Sequence, residues 1–114
     1  MLRLCNVVLL IALVTGCQNK SGILNEEAIS LNKFAQVNCL FQYFELNNYE
    51  TKDIRAIAGG IVETSDISID KFQEIALFIS NFDHNTETKQ NIDKNLLKCF
   101  SLERNLELQK IIAR

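Results

Sequence analysis

The stretch FAQVNCLFQYF, residues 34–44, decides the fold of this chain. Its apolar residues recur at spacings of three and four, which is the period of one face of an α-helix. They are Phe34, Val37, Phe41 and Phe44. Cys39 lies within the same stretch. We therefore predict a helix that faces a hydrophobic core and carries a cysteine.

Helical spacing continues on both sides of this stretch. Asn25 can cap the first helix, and Asn47-Asn48 reads as the turn that ends it. Further apolar stripes at helical spacing run over residues 54–62, 72–82, 92–99 and 102–112, with Thr51 and Ser101 as expected caps. No alternation typical of a strand is sustained. The predicted fold class is all-α, a compact bundle of four to five helices with one intramolecular disulfide.

Two consecutive glycines, Gly59-Gly60, lie inside the second predicted helix, where they lower helix propensity. They permit either a close approach of another helix or a break. The apolar stripe continues in register past them, which favours close packing.

The N-terminus has the organisation of a bacterial lipoprotein signal peptide. Arg3 precedes an apolar run, residues 4–14, that is too short to span a membrane. Residues 13–17, LVTGC, resemble a lipobox, the site at which a signal peptidase cuts before a lipid-modified cysteine. We predict a signal peptide over 1–16, a lipidated tether over 17–24 and a helical domain over 25–114. An ordinary cleaved signal peptide is the alternative.

This signal determines the expected location. Cys17 would carry the lipid and anchor the chain to a membrane. Gln18 follows it, where an Asp would indicate retention at the inner membrane. The expected location is therefore the periplasmic face of the outer membrane.

The cysteines become informative once they are sorted. Cys5 is removed with the signal peptide and Cys17 carries lipid, which leaves Cys39 and Cys99. A disulfide between these two is the simplest outcome in an oxidising compartment. It would close a loop of about sixty residues and contribute on the order of 4 kcal/mol. Their spacing excludes a CxxC redox pair, and with a lone histidine, His84, they make no metal-ligand set.

Charge and motif content argue against two classes of function. The net charge is −2, and the basic residues are scattered, so there is no electrostatic footprint for nucleic acid. The chain contains no nucleophile beside a base, no metal-ligand set and no phosphate-binding loop. We therefore predict no catalytic residue, no metal and no cofactor.

The most polar stretch after the signal peptide is DHNTETKQN, residues 83–91. It has no apolar side chain to bury, so it is predicted to be an exposed loop. The candidates for binding a partner are Asp83, His84, Asn85 and Glu87. A solvated connector without a partner is the alternative, and the turn over residues 45–51 is the second candidate surface.

Four segments, taken in order, resemble type VI secretion system amidase immunity proteins of the Tai/Rap class. They are FAQVNCLFQY (34–43), AIAGG (56–60), IDKF (69–72) and NLLKCFSL (95–102). The resemblance extends from about Asn32 to the C-terminus. It rests on the ordered set of a cysteine, a small-residue pair and a second cysteine.

The resemblance implies a periplasmic protein, often a homodimer, that binds a cysteine–histidine peptidoglycan amidase and occludes its cleft. Such an inhibitor needs only a rigid scaffold that presents a loop. Asp83 and Glu87 could pair with a protonated histidine of the enzyme, and His84 or Asn85 could hydrogen-bond the cleft backbone. A small envelope lipoprotein acting as a structural or assembly adaptor is the main alternative. An inhibitor of another toxin is a third interpretation.

The lipobox predicts the behaviour of a Cys17→Ala variant. Because the variant lacks the thiol that accepts lipid, it should move from the membrane fraction to an unprocessed or soluble form. Cell fractionation followed by immunoblotting measures this. Fractionation identical to that of the parent would exclude the lipid anchor.

Overall fold

The computed structural model describes residues 21–82 and 91–114. These ranges contain five α-helices and no β-strand. The helices are α1 (Ser21–Leu46), α2 (Lys52–Thr64), α3 (Ile69–Asn81), α4 (Lys94–Cys99) and α5 (Leu106–Ala113), with a 3₁₀ turn at Leu102–Arg104 between α4 and α5. The all-α prediction is confirmed. None of the helices in these ranges has the length and apolar character needed to cross a membrane.

The longest helix, α1, is the centre of the bundle, because α2, α3, α4, the 3₁₀ turn and α5 all pack against it. Phe34 of α1 meets Phe72 of α3 edge to face, with ring centroids 4.8 Å apart. The buried apolar side chains of the core are Leu31, Phe34, Ala35, Cys39, Phe72, Ile75, Ile79, Cys99, Leu102, Leu108 and Ile112. On α1 the core residues are Leu31, Phe34, Ala35 and Cys39, so of the predicted stripe only Phe34 belongs to the core, and Val37, Phe41 and Phe44 do not.

The predicted disulfide is present. The sulfurs of Cys39 and Cys99 lie 2.06 Å apart, and their Cα atoms lie 5.4 Å apart. Both residues are 1% exposed. The bond joins α1 to the last residue of α4, so two elements that are distant in sequence share one buried covalent contact.

Polar contacts hold α5 against α3 and α1. Lys71 Nζ donates to the carbonyl of Ile111 at 2.7 Å, which places a cation at the C-terminal end of α5. Gln109 Nε2 donates to Asn32 Oδ1 of α1 at 2.9 Å. The C-terminal helix is therefore tied to both α3 and α1.

The prediction of close packing at Gly59-Gly60 is wrong. A Cβ built at either glycine would meet no atom within 4 Å. Helix α2 continues through the pair, and none of its residues is buried. Ile57, which the sequence placed on the inward stripe, is 53% exposed. The pair lies on a peripheral helix, and no other helix of the described chain packs closely against these two glycines.

Several helix ends also differ from the expected positions. Helix α1 already includes Ser21, the first described residue, so Asn25 lies within the helix instead of capping it. Thr51 precedes α2 without a side-chain capping bond, and Glu50 Oε1 accepts from the Lys52 amide at 3.0 Å.

The C-terminal part differs for a similar reason. α4 begins after Asp93, which caps it, so Ile92 lies before the helix. α5 is capped by Asn105, whose Oδ1 accepts from the Leu108 amide at 2.9 Å. Ser101 precedes the 3₁₀ turn and makes no capping bond. Asp and Asn are strong caps, and here they determine where the helices start.

The disulfide predicts a large loss of stability on substitution. Cys39→Ser, Cys99→Ser and the double variant should each lose about 2–5 kcal/mol, since each removes the same bond. For a domain of this size the melting temperature should fall by about 10 °C or more. Thermal denaturation followed by circular dichroism measures the change. Titration of the oxidised parent should detect neither thiol, and two reactive thiols would exclude the bond.

Candidate functional site

Most of the predicted site residues lie outside the described residues. This holds for the lipidation site Cys17 and for the four candidates Asp83, His84, Asn85 and Glu87. The described chain stops at Phe82 and resumes at Asn91. The structure therefore shows how the two ends of this segment are held.

The upstream end is held by a cation from α4. Lys98 Nζ donates to the carbonyls of Ile79 at 3.2 Å and Phe82 at 3.3 Å. These are carbonyls at the C-terminal end of α3, where a positive charge complements the helix dipole. The ring of Phe82 stacks on Phe78 with centroids 5.5 Å apart. Both backbone and side chain are thus fixed where the chain leaves α3.

The downstream end is held by a phenol from α1. Asp93 Oδ1 accepts from the Asn95 amide at 2.9 Å and caps α4. Its other oxygen, Oδ2, accepts from the Tyr43 hydroxyl at 3.2 Å. Partial removal of the phenol from water, this hydrogen bond and the carboxylate charge raise the pKa of Tyr43 above its usual value of 10.0.

The turn after α1, which is the second candidate surface, contacts the same site through Tyr43. Asn48 adopts a left-handed conformation, φ 57°, that Asn tolerates better than most residues. The turn places the Tyr49 ring 6.1 Å from the ring of Tyr43 and 5.9 Å from that of Phe44. Tyr49 remains 54% exposed. Tyr43 therefore connects the turn over 45–51 with the end of the polar segment.

These contacts all lie close to the disulfide in sequence. Tyr43 follows Cys39 by one helical turn, and Lys98 directly precedes Cys99. The covalent bond thus aligns α1 and α4 so that their neighbouring side chains reach the two ends of the segment. No pattern in the sequence indicates Tyr43 or Lys98 as a residue of this site. A signal was available for Asp93 alone, because an Asp before a short apolar-periodic run is typical of a helix cap.

The chemistry of the site is hydrogen bonding and packing. Within residues 21–82 and 91–114, no cluster of three His, Cys, Asp or Glu side chains could hold a metal ion. The buried side-chain polar atoms of this part of the chain all have hydrogen-bond partners.

Comparison with known proteins identifies the family. Residues 30–112 match the Tai4 family, described as type VI secretion system (T6SS) amidase immunity proteins. This chain belongs to the Tai4 family. The match covers every core residue of α3, α4 and α5, both disulfide cysteines and the ends of the polar segment. No curated protein and no solved structure is detectably similar to the chain.

Membership in the Tai4 family confirms the resemblance drawn from the four segments. The chain is an amidase immunity protein in this general sense, and an effector protein is the kind of partner the family implies. Proteins of this kind are typically not enzymes.

The Tyr43–Asp93 contact predicts an alkaline titration. The unfolded chain releases the Tyr43 proton near pH 10, whereas the folded chain holds it to higher pH. The free energy of unfolding should therefore be unaffected below about pH 10 and fall as the pH rises through the raised pKa. Ultraviolet absorbance should show a late-titrating phenol that Tyr43→Phe removes.

Asp93→Asn is the matched variant for this titration. It keeps a capping side chain at the start of α4 but removes the carboxylate charge. The Tyr43 pKa should then move down toward 10. An unchanged pKa would show that Asp93 does not contribute.

Proposed function

We propose that this Tai4-family protein binds a peptidoglycan amidase delivered by a type VI secretion system and blocks its cleft in the periplasm. The family match over residues 30–112 is the observation that carries the proposal. The fold supports it, because a disulfide-tied helical bundle is a rigid scaffold for presenting a binding segment. The target is proposed to be a cysteine–histidine hydrolase, as the sequence resemblance implies.

The proposed contact residues of the inhibitory segment are Asp83, His84, Asn85 and Glu87, which lie outside the described residues. The carboxylates would pair with the protonated catalytic histidine of the enzyme, and the other two would hydrogen-bond its cleft backbone. Support comes from the two ends of the segment. Lys98 holds one end at Phe82, and Tyr43 holds the other at Asp93. Fixed ends lower the entropy that the segment loses on binding.

Location and assembly complete the proposal. Cys17 would carry a lipid that holds the protein at the periplasmic face of the outer membrane, where an incoming amidase acts. The homodimer implied by the resemblance would form through α2. That helix has no buried residue and presents Ile57, which is 53% exposed, beside two glycines that leave open space.

A variant with four substitutions tests the inhibitory segment. Asp83, His84, Asn85 and Glu87 are replaced together by Ala. Protection is measured in cells that express, in the periplasm, the cysteine–histidine hydrolase expected from the neighbouring gene. Protection should fall sharply. The melting temperature should stay within a few degrees of the parent, because these polar residues offer little apolar surface to bury.

The outcomes of this test separate the interpretations. Unchanged protection with a functional parent would move the inhibitory surface to the turn over 45–51. A parent that fails to protect, or a neighbouring gene that encodes no cysteine–histidine hydrolase, would contradict the immunity function. In that case an envelope adaptor would be the better interpretation.

A further inference from the structure

A groove runs between the C-terminal halves of α1 and α3. It consists of two adjoining cavities of about 500 and about 490 Å³, and Gln42, Leu46 and Ser80 line both. Gln42 bridges the two helices along it. Its Nε2 donates to the Ala76 carbonyl at 3.3 Å, and its Oε1 accepts from Ser80 Oγ at 3.2 Å. These hydrogen bonds join the two helices that form the walls of the groove.

The groove presents both apolar surface and free hydrogen-bonding groups. Leu46 is 68% exposed between the two cavities. Asn81 and Asn95 line the larger cavity, and neither side-chain amide has a hydrogen-bond partner in the described part of the chain. A primary amide offers one acceptor and two donors, which complement the groups of a peptide backbone. These features fit an extended stretch of polypeptide.

The charges beside the groove do not favour a small anion. Lys98 lines the larger cavity, but its ammonium group already donates to the carbonyls of Ile79 and Phe82. Tyr43 lines the same cavity, and the exposed Tyr49 ring packs edge to face against it. Rigid aromatic side chains of this kind commonly dominate the binding energy of protein interfaces.

We propose that this groove receives a surface loop of the amidase. Leu46 and Tyr49 would be its apolar anchors, and the side-chain amides of Asn81 and Asn95 would hydrogen-bond the backbone of the loop. This inference rests on the proposed function, which supplies the partner. The two proteins would then bind reciprocally, with one segment of each inserted into the other. A second copy of this chain is the competing occupant, and the molar mass of the isolated chain distinguishes it from the amidase.

A pair of matched leucines tests the groove. The full chain and its variants are titrated with the amidase encoded by the adjacent gene, its catalytic cysteine replaced by alanine, in a calorimeter. Leu46→Arg should weaken binding by about tenfold or more, the loss typical of a buried interface anchor. The arginine should not harm the fold, because a cation suits the C-terminal end of α1.

Leu77→Arg is the control, because Leu77 is 64% exposed and does not line either cavity. It should change affinity by less than about twofold, as expected for a surface position outside the interface. The double variant Asn81→Ala and Asn95→Ala should weaken binding severalfold without changing the melting temperature.

Three results would overturn the inference. Equal affinity of Leu46→Arg and Leu77→Arg, with a parent that binds, would exclude the groove and leave the proposed function intact. A change in molar mass of the isolated chain on Leu46→Arg, seen by light scattering, would assign the groove to a second copy. A parent that does not bind the amidase would contradict the proposed function itself.

Discussion

The disulfide between Cys39 and Cys99 joins the C-terminal half of α1 to the end of α4, and the arrangement of the candidate site depends on it. α4 has six residues, too few to be a stable helix in isolation. The covalent bond and the Asp93 cap keep it in place against α1. Without that constraint Lys98 would not be held near the carbonyls at the end of α3, nor Asp93 near Tyr43.

α1 distributes this constraint to the rest of the bundle. It contacts every other helix, and its buried residues belong to the same core cluster as those of α3, α4 and α5. The disulfide of α1 lies beside the residues that hold the ends of the 83–90 segment. Cys39 also lines the larger cavity of the groove, together with Leu46. One helix therefore supports two surfaces that serve the same proposed partner.

Much of the fold could be predicted from sequence, because its determinants are periodic or chemically restricted. The apolar spacing of Phe34, Val37, Phe41 and Phe44 predicted α1, and the sorting of cysteines predicted the disulfide. Both signals are local or depend on very few residues. Helix ends were less predictable, since Thr51 and Ser101 had the right residue type but neighbouring Glu50 and Asn105 formed the bonds.

Long-range contacts could not be predicted for a different reason. Tyr43 and Asp93 are 50 positions apart, and nothing in either residue indicates the other. The glycine pair was misinterpreted because a pattern shows that two residues lack side chains, not what lies opposite them. The candidate segment 83–91 followed from polarity alone. Its functional role remains a proposal that rests on the family and on the held ends.

The glycine pair also affects how the fold opens. α2 contains two residues that each cost about 1 kcal/mol relative to Ala in a helix interior, and it buries no side chain fully. It lies between the two cysteines in sequence, so it can unfold while the bond between α1 and α4 stays intact. Local unfolding of α2 therefore requires less free energy than disruption of the α1–α3 core. The amide hydrogens of α2 are therefore expected to exchange with solvent faster than those of the core-facing parts of α1 and α3.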